Sequence, residues 1–311
     1  MTFKKSLIMA FAAVLTIFIV SCSDTTTGPA DDTRTPGAPD SAVATSKSEN
    51  SILVKWTASS DAADSAFVGY IVKITGDDGT TSTDTTTSVF IEVSGLTMGT
   101  VYTFEISSLF TNGKTSAAEV VSWSPAIRFE TINGGETIKL YETDSKNGSG
   151  VDLYDEATMQ PKNLTIGFGN HWTLGLDTRE NMVYFGSPTL IDYNWPTGVV
   201  PGYTEICTNK WFQTDVESLD DCFDSYALNI PSNDFEEFAV DLNALLNSVD
   251  KNIVFIIRTK EDGKDDFHYA KVLLKKQNNS WLTGSGDNEH VEIEASYQVK
   301  ANVPYAKKPL K

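Results

Sequence analysis

The residues best suited to chemistry lie in one stretch. Tyr193-Asn194-Trp195-Pro196 is followed by Tyr203 and by Trp211-Phe212, with Asn, Asp and Gln between them and no clean strand periodicity. Planar rings on loops beside amide and carboxylate groups form an apolar platform with directional polar partners, as a sugar or peptide site requires. Tyr193, Trp195, Tyr203 and Trp211 are therefore the candidate ligand-binding residues. The competing reading folds the same rings over a sheet edge as a secondary core. Cys207 and Cys222 flank the end of this stretch, fifteen positions apart. In an oxidising compartment they are expected to form a disulfide contributing about 3 kcal/mol by chain entropy; two buried thiols are the alternative.

Other chemistry is thinly supplied. The sequence has no Gly-x-Ser-x-Gly elbow, no His-Glu-x-x-His and no phosphate loop. No catalytic residue, cofactor or metal site is assigned, and a non-enzymatic protein is expected. His171, His268 and His290 lie on separate segments, and haem or metal capture would need them gathered, with Met159 or Met182. The acidic runs from Glu261 to Asp266 and from Gly286 to Glu289 read as solvated turns rather than calcium loops. Twenty-four Lys and Arg against 42 Asp and Glu give a net charge of -18, which repels phosphate backbones and argues against nucleic-acid binding.

At the N-terminus Lys4 and Lys5 precede an uncharged apolar run from Leu7 to Val20. That run is short for a bilayer span, which needs about 20 residues, and fits a signal-peptide core. Ile19-Val20-Ser21-Cys22 resembles the bacterial lipoprotein box. The resemblance implies cleavage before Cys22, lipid on its sulfur and residence in the cell envelope, with Ser23 pointing to the outer membrane. Residues 1–21 are then the signal peptide, and 22–35 a polar tether.

Residues 36–124 show the period-two alternation of an all-β sandwich. Ile52, Val54 and Trp56 share a face, as do Tyr102, Phe104 and Ile106, and Val68 to Ile74 is a further apolar strand. Pro36, Pro39, Trp56, Tyr70 and the run from Gly95 through Leu96 to Tyr102 resemble a fibronectin type III domain. The resemblance implies that Leu96 plugs the core and that Tyr102 makes a tyrosine corner. Such domains serve as spacers or docking modules, so the fold assigns no partner.

Residues 126–311 read as a second, larger β-sandwich. Strands are expected at 137–141, 163–168, 172–176, 182–185, 253–258, 268–274 and 291–299. Ile253 to Ile257 is apolar on both faces and belongs mid-sheet. Phe235, Phe238, Leu242, Leu245, Leu246 and Val249 recur at helical spacing, with Asn233 and Glu236 as a capping pair; a strand followed by an irregular segment is the alternative. Tyr269-Ala270-Lys271 is similar to a strand of haem-binding lipoproteins, over too few residues to carry ligands across. The sequence thus points to an all-β envelope lipoprotein displaying a β-domain for binding, to polysaccharide or to an envelope protein.

Overall fold

The computed structural model describes residues 33–132, 134–165, 171–191, 202–207, 212–225, 235–260 and 264–306. Alternation builds the N-terminal half. One sheet has the order β1-β2-β5, from β1 (Asp40–Ser48), β2 (Ser51–Thr57) and β5 (Phe90–Ser94). The other has the order β4-β3-β6-β7, from β3 (Phe67–Gly76), β4 (Thr81–Thr86), β6 (Tyr102–Phe110) and β7 (Glu119–Trp123). Trp56 meets Tyr70 edge-on, with ring centroids 5.3 Å apart, in the core that also holds Ile52, Val54, Val72, Phe104 and Ile106. The Tyr102 hydroxyl accepts the Thr97 backbone N–H at 2.9 Å, closing the expected tyrosine corner. Between them Gly99 adopts φ +86°, a conformation that favours glycine.

The C-terminal half has two further antiparallel sheets. The large one has the order β17-β15-β19-β20-β21-β10-β9 and is built from β9 (Thr131–Ile132), β10 (Glu136–Tyr141), β15 (Tyr203–Cys207), β17 (Phe235–Glu237), β19 (Asn252–Lys260), β20 (His268–Lys275) and β21 (His290–Tyr297). In addition β8 (Ile127–Phe129) pairs with β21, and β16 (Phe212–Val216) continues the line of β15 along β19. The small sheet has the order β12-β11-β13-β14-β18, from β11 (Gly150–Asp155), β12 (Gln160–Leu164), β13 (Leu174–Asp177), β14 (Tyr184–Gly186) and β18 (Ala239–Asp241). The fold is almost entirely β, as the alternation implies.

Of the two readings of Phe235 to Val249, strand structure followed by a short irregular segment is the one formed, with one short helix in place of a long one, and Asn233 lies outside the described residues. Phe235 lies in β17, opposite Cys207 in the large sheet, whereas β18 pairs with β14 in the small one. The segment therefore crosses between sheets, and Phe238 packs on Phe255 in the core between them. Only α1 (Leu242–Leu245) is helical, with the Asp241 carboxylate accepting the Asn243 N–H at 2.9 Å. Ladder bonds to two sheet edges outweigh a weak local preference.

β19 and β20 explain why Ile253 to Ile257 is apolar throughout. Ile253, Phe255 and Ile257, with Ala270, Val272 and Leu274, fill the core between the two C-terminal sheets. Val254, Ile256, Tyr269 and Leu273 face the other way, into a core shared with Ala44, Trp123 and Ala126 of the N-terminal sandwich. Residues from Arg34 onward accordingly form one compact unit. Ala44 and Phe223 exchange both backbone hydrogen bonds at 2.9 Å. Tyr305 lies on Trp123, and its carbonyl accepts the Ser124 N–H at 2.6 Å.

Lys271 sits in the middle of this shared core, 1 % exposed. Its ammonium donates to Thr45 Oγ1 (2.9 Å), the Leu219 carbonyl (2.7 Å) and the Asp221 carbonyl (2.5 Å), so three donors meet three acceptors. It also lies 4.5 Å from the Phe223 ring centroid. Nearby, Asp220 binds Arg128 at 2.6 Å and also Lys47. Burial pushes the Asp220 carboxyl up, but hydrogen bonds from Lys47 and Arg128 hold it below the usual range.

Burial lowers the Lys271 pKa to about 7, with Arg128 acting in the same sense and Cys222, Asp221 and Asp220 opposing. In the unfolded chain a lysine titrates near ~10.4. Between these values the unfolded lysine binds more proton than the folded one, so this group makes stability rise with pH, by at most about 1.4 kcal/mol per unit. Above pH ~10 the trend reverses, because buried Tyr305 holds its phenolic proton longer than an unfolded tyrosine does. Urea unfolding should therefore show increasing stability from pH 7 to about 8.5, above which the buried Cys222 thiol, holding its proton longer than an unfolded cysteine, offsets the rise, and Lys271→Met should remove the rise. Lys271→Ala should cost roughly 3 kcal/mol at pH 8 by leaving a cavity and removing the hydrogen bonds to Thr45, Leu219 and Asp221.

Candidate functional site

At one end of the C-terminal sandwich the inner rows of the large sheet stop being aliphatic. Along β19 the row Ile253, Phe255, Ile257 continues to Thr259, whose pairing partner on β20 is His268. Along β21 the row Ile293, Ala295 ends at Tyr297. Polar and aromatic side chains thus replace branched aliphatics where the sheets part, and a small open cleft of about 60 Å³ forms there.

Trp172 forms the floor and is fully buried. Two glycines make room for it: a Cβ on Gly150 would fall within the indole ring, and one on Gly202 would collide with the Trp172 carbonyl oxygen. Thr204 Oγ1 donates to the Thr173 carbonyl at 2.5 Å and lies 3.0 Å from Thr259 Oγ1, which ties β15 and β19 to the chain entering β13. One wall is a column of near-parallel rings. Tyr154 stacks on Tyr297 with centroids 5.5 Å apart at 9°, and His268 stacks on Tyr297 at 5.7 Å and 11°. His268 Nδ1 lies 3.2 Å from the Gln298 carbonyl, which fixes the imidazole in the column. Asp152, Glu156, His171 and Lys260 line the cleft around these rings. The half-buried rings of Tyr154 and His268, with the carboxylates, suit a flat-faced ligand rich in hydrogen-bond donors.

Of the residues singled out from the sequence, Tyr193, Trp195 and Trp211 lie outside the described residues, as does Cys22. Tyr203 is half-buried on β15, opposite Lys260, whose ammonium lies 5.3 Å from its ring centroid. Burial, then a hydrogen bond and negative charge from Glu205, push the Tyr203 phenol up to about 12. Glu205 is itself ion-paired with Arg258, whose guanidinium lies against Phe267 (4.2 Å) and Phe235 (4.5 Å). Tyr203 therefore stands next to the cleft through Lys260.

The expected disulfide is corrected: Cys207 and Cys222 are thiols. Cys207 is fully buried at the end of β15, packed as a small apolar residue in the shared core. Cys222 lies in the loop before Phe223, where its thiol donates to the Asp220 carbonyl at 3.6 Å. Burial pushes the Cys222 thiol pKa up, which keeps it protonated.

The histidines divide. His171 and His268 line the cleft, whereas His290 packs against Tyr141, with Glu292 3.4 Å from its Nε2. Met159 is exposed on the turn before β12, and Met182 lies beside Asp177 and Arg179. Among the described residues no three His, Cys, Asp or Glu side chains come together to hold a metal ion.

The family model for the fibronectin type III domain matches residues 37–123. Residues 37–123 are a fibronectin type III domain. Among curated proteins the chain is 34 % identical over 155 residues to Exoglucanase A of Cellulomonas fimi, a match covering 49 % of this chain and 16 % of that protein. It is 37 % identical over 112 residues to Chitinase A1 of Niallia circulans, covering 36 % of this chain and 15 % of that protein. The chain thus matches only about one sixth of the length of these relatives. Among solved structures, the FN5 domain of Drosophila Lar is 25 % identical over 29 % of this chain and 97 % of that one, with a TM-score of 0.23. A myokine structure is 22 % identical over 29 % of this chain and 99 % of that one, with a TM-score of 0.26.

The closeness of Gly150 to Trp172 gives a direct test of how the cleft is built. Gly150→Ala must displace the indole, so it should lower unfolding stability by about 1–3 kcal/mol in urea titrations and change tryptophan fluorescence in the folded state.

Proposed function

We propose that this chain is a lipid-anchored, non-enzymatic protein of the bacterial cell envelope that binds a glycan in the cleft between its C-terminal sheets. The fibronectin type III domain serves as its mount. The observation that carries this reading is the column of Tyr154, Tyr297 and His268 beside Asp152 and Glu156. Rings supply the apolar platform for a sugar, and carboxylates accept its hydroxyl hydrogens. The names of the relatives, an exoglucanase and a chitinase, belong to proteins that act on polysaccharide, and they support the same ligand class. The lipoprotein-like run ending at Cys22 supports attachment through that sulfur, with the outer membrane as destination.

Residues 34–311, which keep the whole compact unit, should be retained on at least one insoluble polysaccharide and should release no soluble sugar from it. Tyr154→Ala and His268→Ala should each reduce retention about tenfold or more while leaving the far-ultraviolet circular dichroism unchanged. If the protein passes through every polysaccharide tested but recovers an envelope protein, the glycan reading is wrong. For the anchor, cells fed an alkyne fatty acid should label the full chain, and Cys22→Ser should abolish the label.

A further inference from the structure

We propose, building on the glycan reading of the cleft, that its ligand is an uncharged, hydroxyl-rich glycan and that the site rejects acidic polysaccharides. The positions of the cations set this preference. Among the described residues lining the cleft, Lys260 is the single Lys or Arg. Its ammonium already lies over two rings, 5.3 Å from the centroid of Tyr203 and 5.4 Å from that of Phe267. The next cation along β19, Arg258, is ion-paired with Glu205 and held between Phe267 and Phe235. Among the described residues a carboxylate, sulfate or phosphate on a sugar would have to draw Lys260 or Arg258 from these contacts or use the imidazoles of His171 and His268.

The other charged groups oppose an acidic ligand outright. Asp152 and Glu156 line the cleft, and the chain as a whole carries -18. Among the described residues a uronate in the cleft would meet like charges and no guanidinium, and like-charge juxtaposition is how binding sites exclude wrong partners. Groups that commonly donate to anions are committed elsewhere as well. Thr204 Oγ1 bonds the Thr173 carbonyl, Thr259 Oγ1 bonds the Tyr203 carbonyl at 3.3 Å, and His268 Nδ1 faces the Gln298 carbonyl. The site offers acceptors and rings, so its complement is a ligand whose hydroxyls donate to Asp152 and Glu156 while its C–H face lies on the rings.

Titration calorimetry of residues 34–311 at pH 6 with hexamers of cellobiose-type glucan, galacturonate and glucosamine distinguishes the possibilities. The neutral hexamer should bind at least tenfold more tightly than the galacturonate. The double variant Asp152→Asn, Glu156→Gln should weaken neutral binding about fivefold or more and narrow the gap to galacturonate, since it removes both the acceptors and the repulsion. Neutral and acidic hexamers binding equally would overturn the charge argument while leaving a glycan site in place. A glucosamine hexamer preferred over the neutral one, with the preference lost in the double variant, would also overturn it by making the ligand cationic. If none of the three binds, and none of the insoluble polysaccharides retains the protein, the glycan reading itself fails.

Discussion

Ile253 to Ile257 place apolar side chains on both faces of β19, and β20 repeats the arrangement with Tyr269 and Leu273 on one face and Ala270, Val272 and Leu274 on the other. Strands of this kind are stable only where both faces are covered, because each large apolar side chain left wet forgoes about 1.5–3 kcal/mol. The small sheet covers one face. The other is covered by the fibronectin type III domain, with Phe223, Phe235 and Tyr305 filling the space between. A spacer domain needs no such contact, so here the domain is part of what keeps the large sheet folded. Lys271 lies at the centre of that contact and gives it register: an apolar side chain there would bury well, but it would not require Thr45, Leu219 and Asp221 to converge on one point.

How much of this was legible in the sequence depended on how local its cause was. The N-terminal sandwich was readable because its signals are local: alternation in β2 and β6, and a tyrosine corner whose partners are five residues apart. The two-faced character of β19 was readable too, but not what covers the second face, since nothing near Val254 or Ile256 names Ala44 or Trp123. The segment from Phe235 to Val249 misled because its apolar residues serve two sheets and one turn in succession, and their spacing imitates a single helical face. Cys207 and Cys222 misled for a related reason. Their separation is compatible with a bridge, yet one is the last residue of a strand in the shared core and the other is placed by the loop that meets Ala44.

The cleft was the least legible feature. Tyr154, Trp172, His268 and Tyr297 come from four separated segments, and each taken alone fits an ordinary strand position. The one local signal was a change along the rows: Thr259 after Ile257, His268 before Ala270, Tyr297 after Ala295. A row that is aliphatic for most of its length and then turns polar or aromatic at its end marks where a sandwich opens. The aromatic cluster in the sequence pointed to the neighbourhood of Tyr203, which stands beside this opening through Lys260.

The position of the cleft on β19 and β20 bears on how binding is held. Binding residues work best when their supporting elements do not move. Thr259, Lys260 and His268 are end residues of two strands whose central residues are packed on both sides, by the small sheet and by the fibronectin type III domain. The same ladder that fixes Lys271 opposite Ile256 fixes Thr259 opposite His268 three pairs further along. Ring positions in the column are therefore set by the covered sheet, so the proposed glycan would meet rings that need little ordering, which preserves affinity that a loop-built platform would lose. On this view the fibronectin type III domain contributes to binding without touching the ligand, by removing freedom from the strands whose ends form the site.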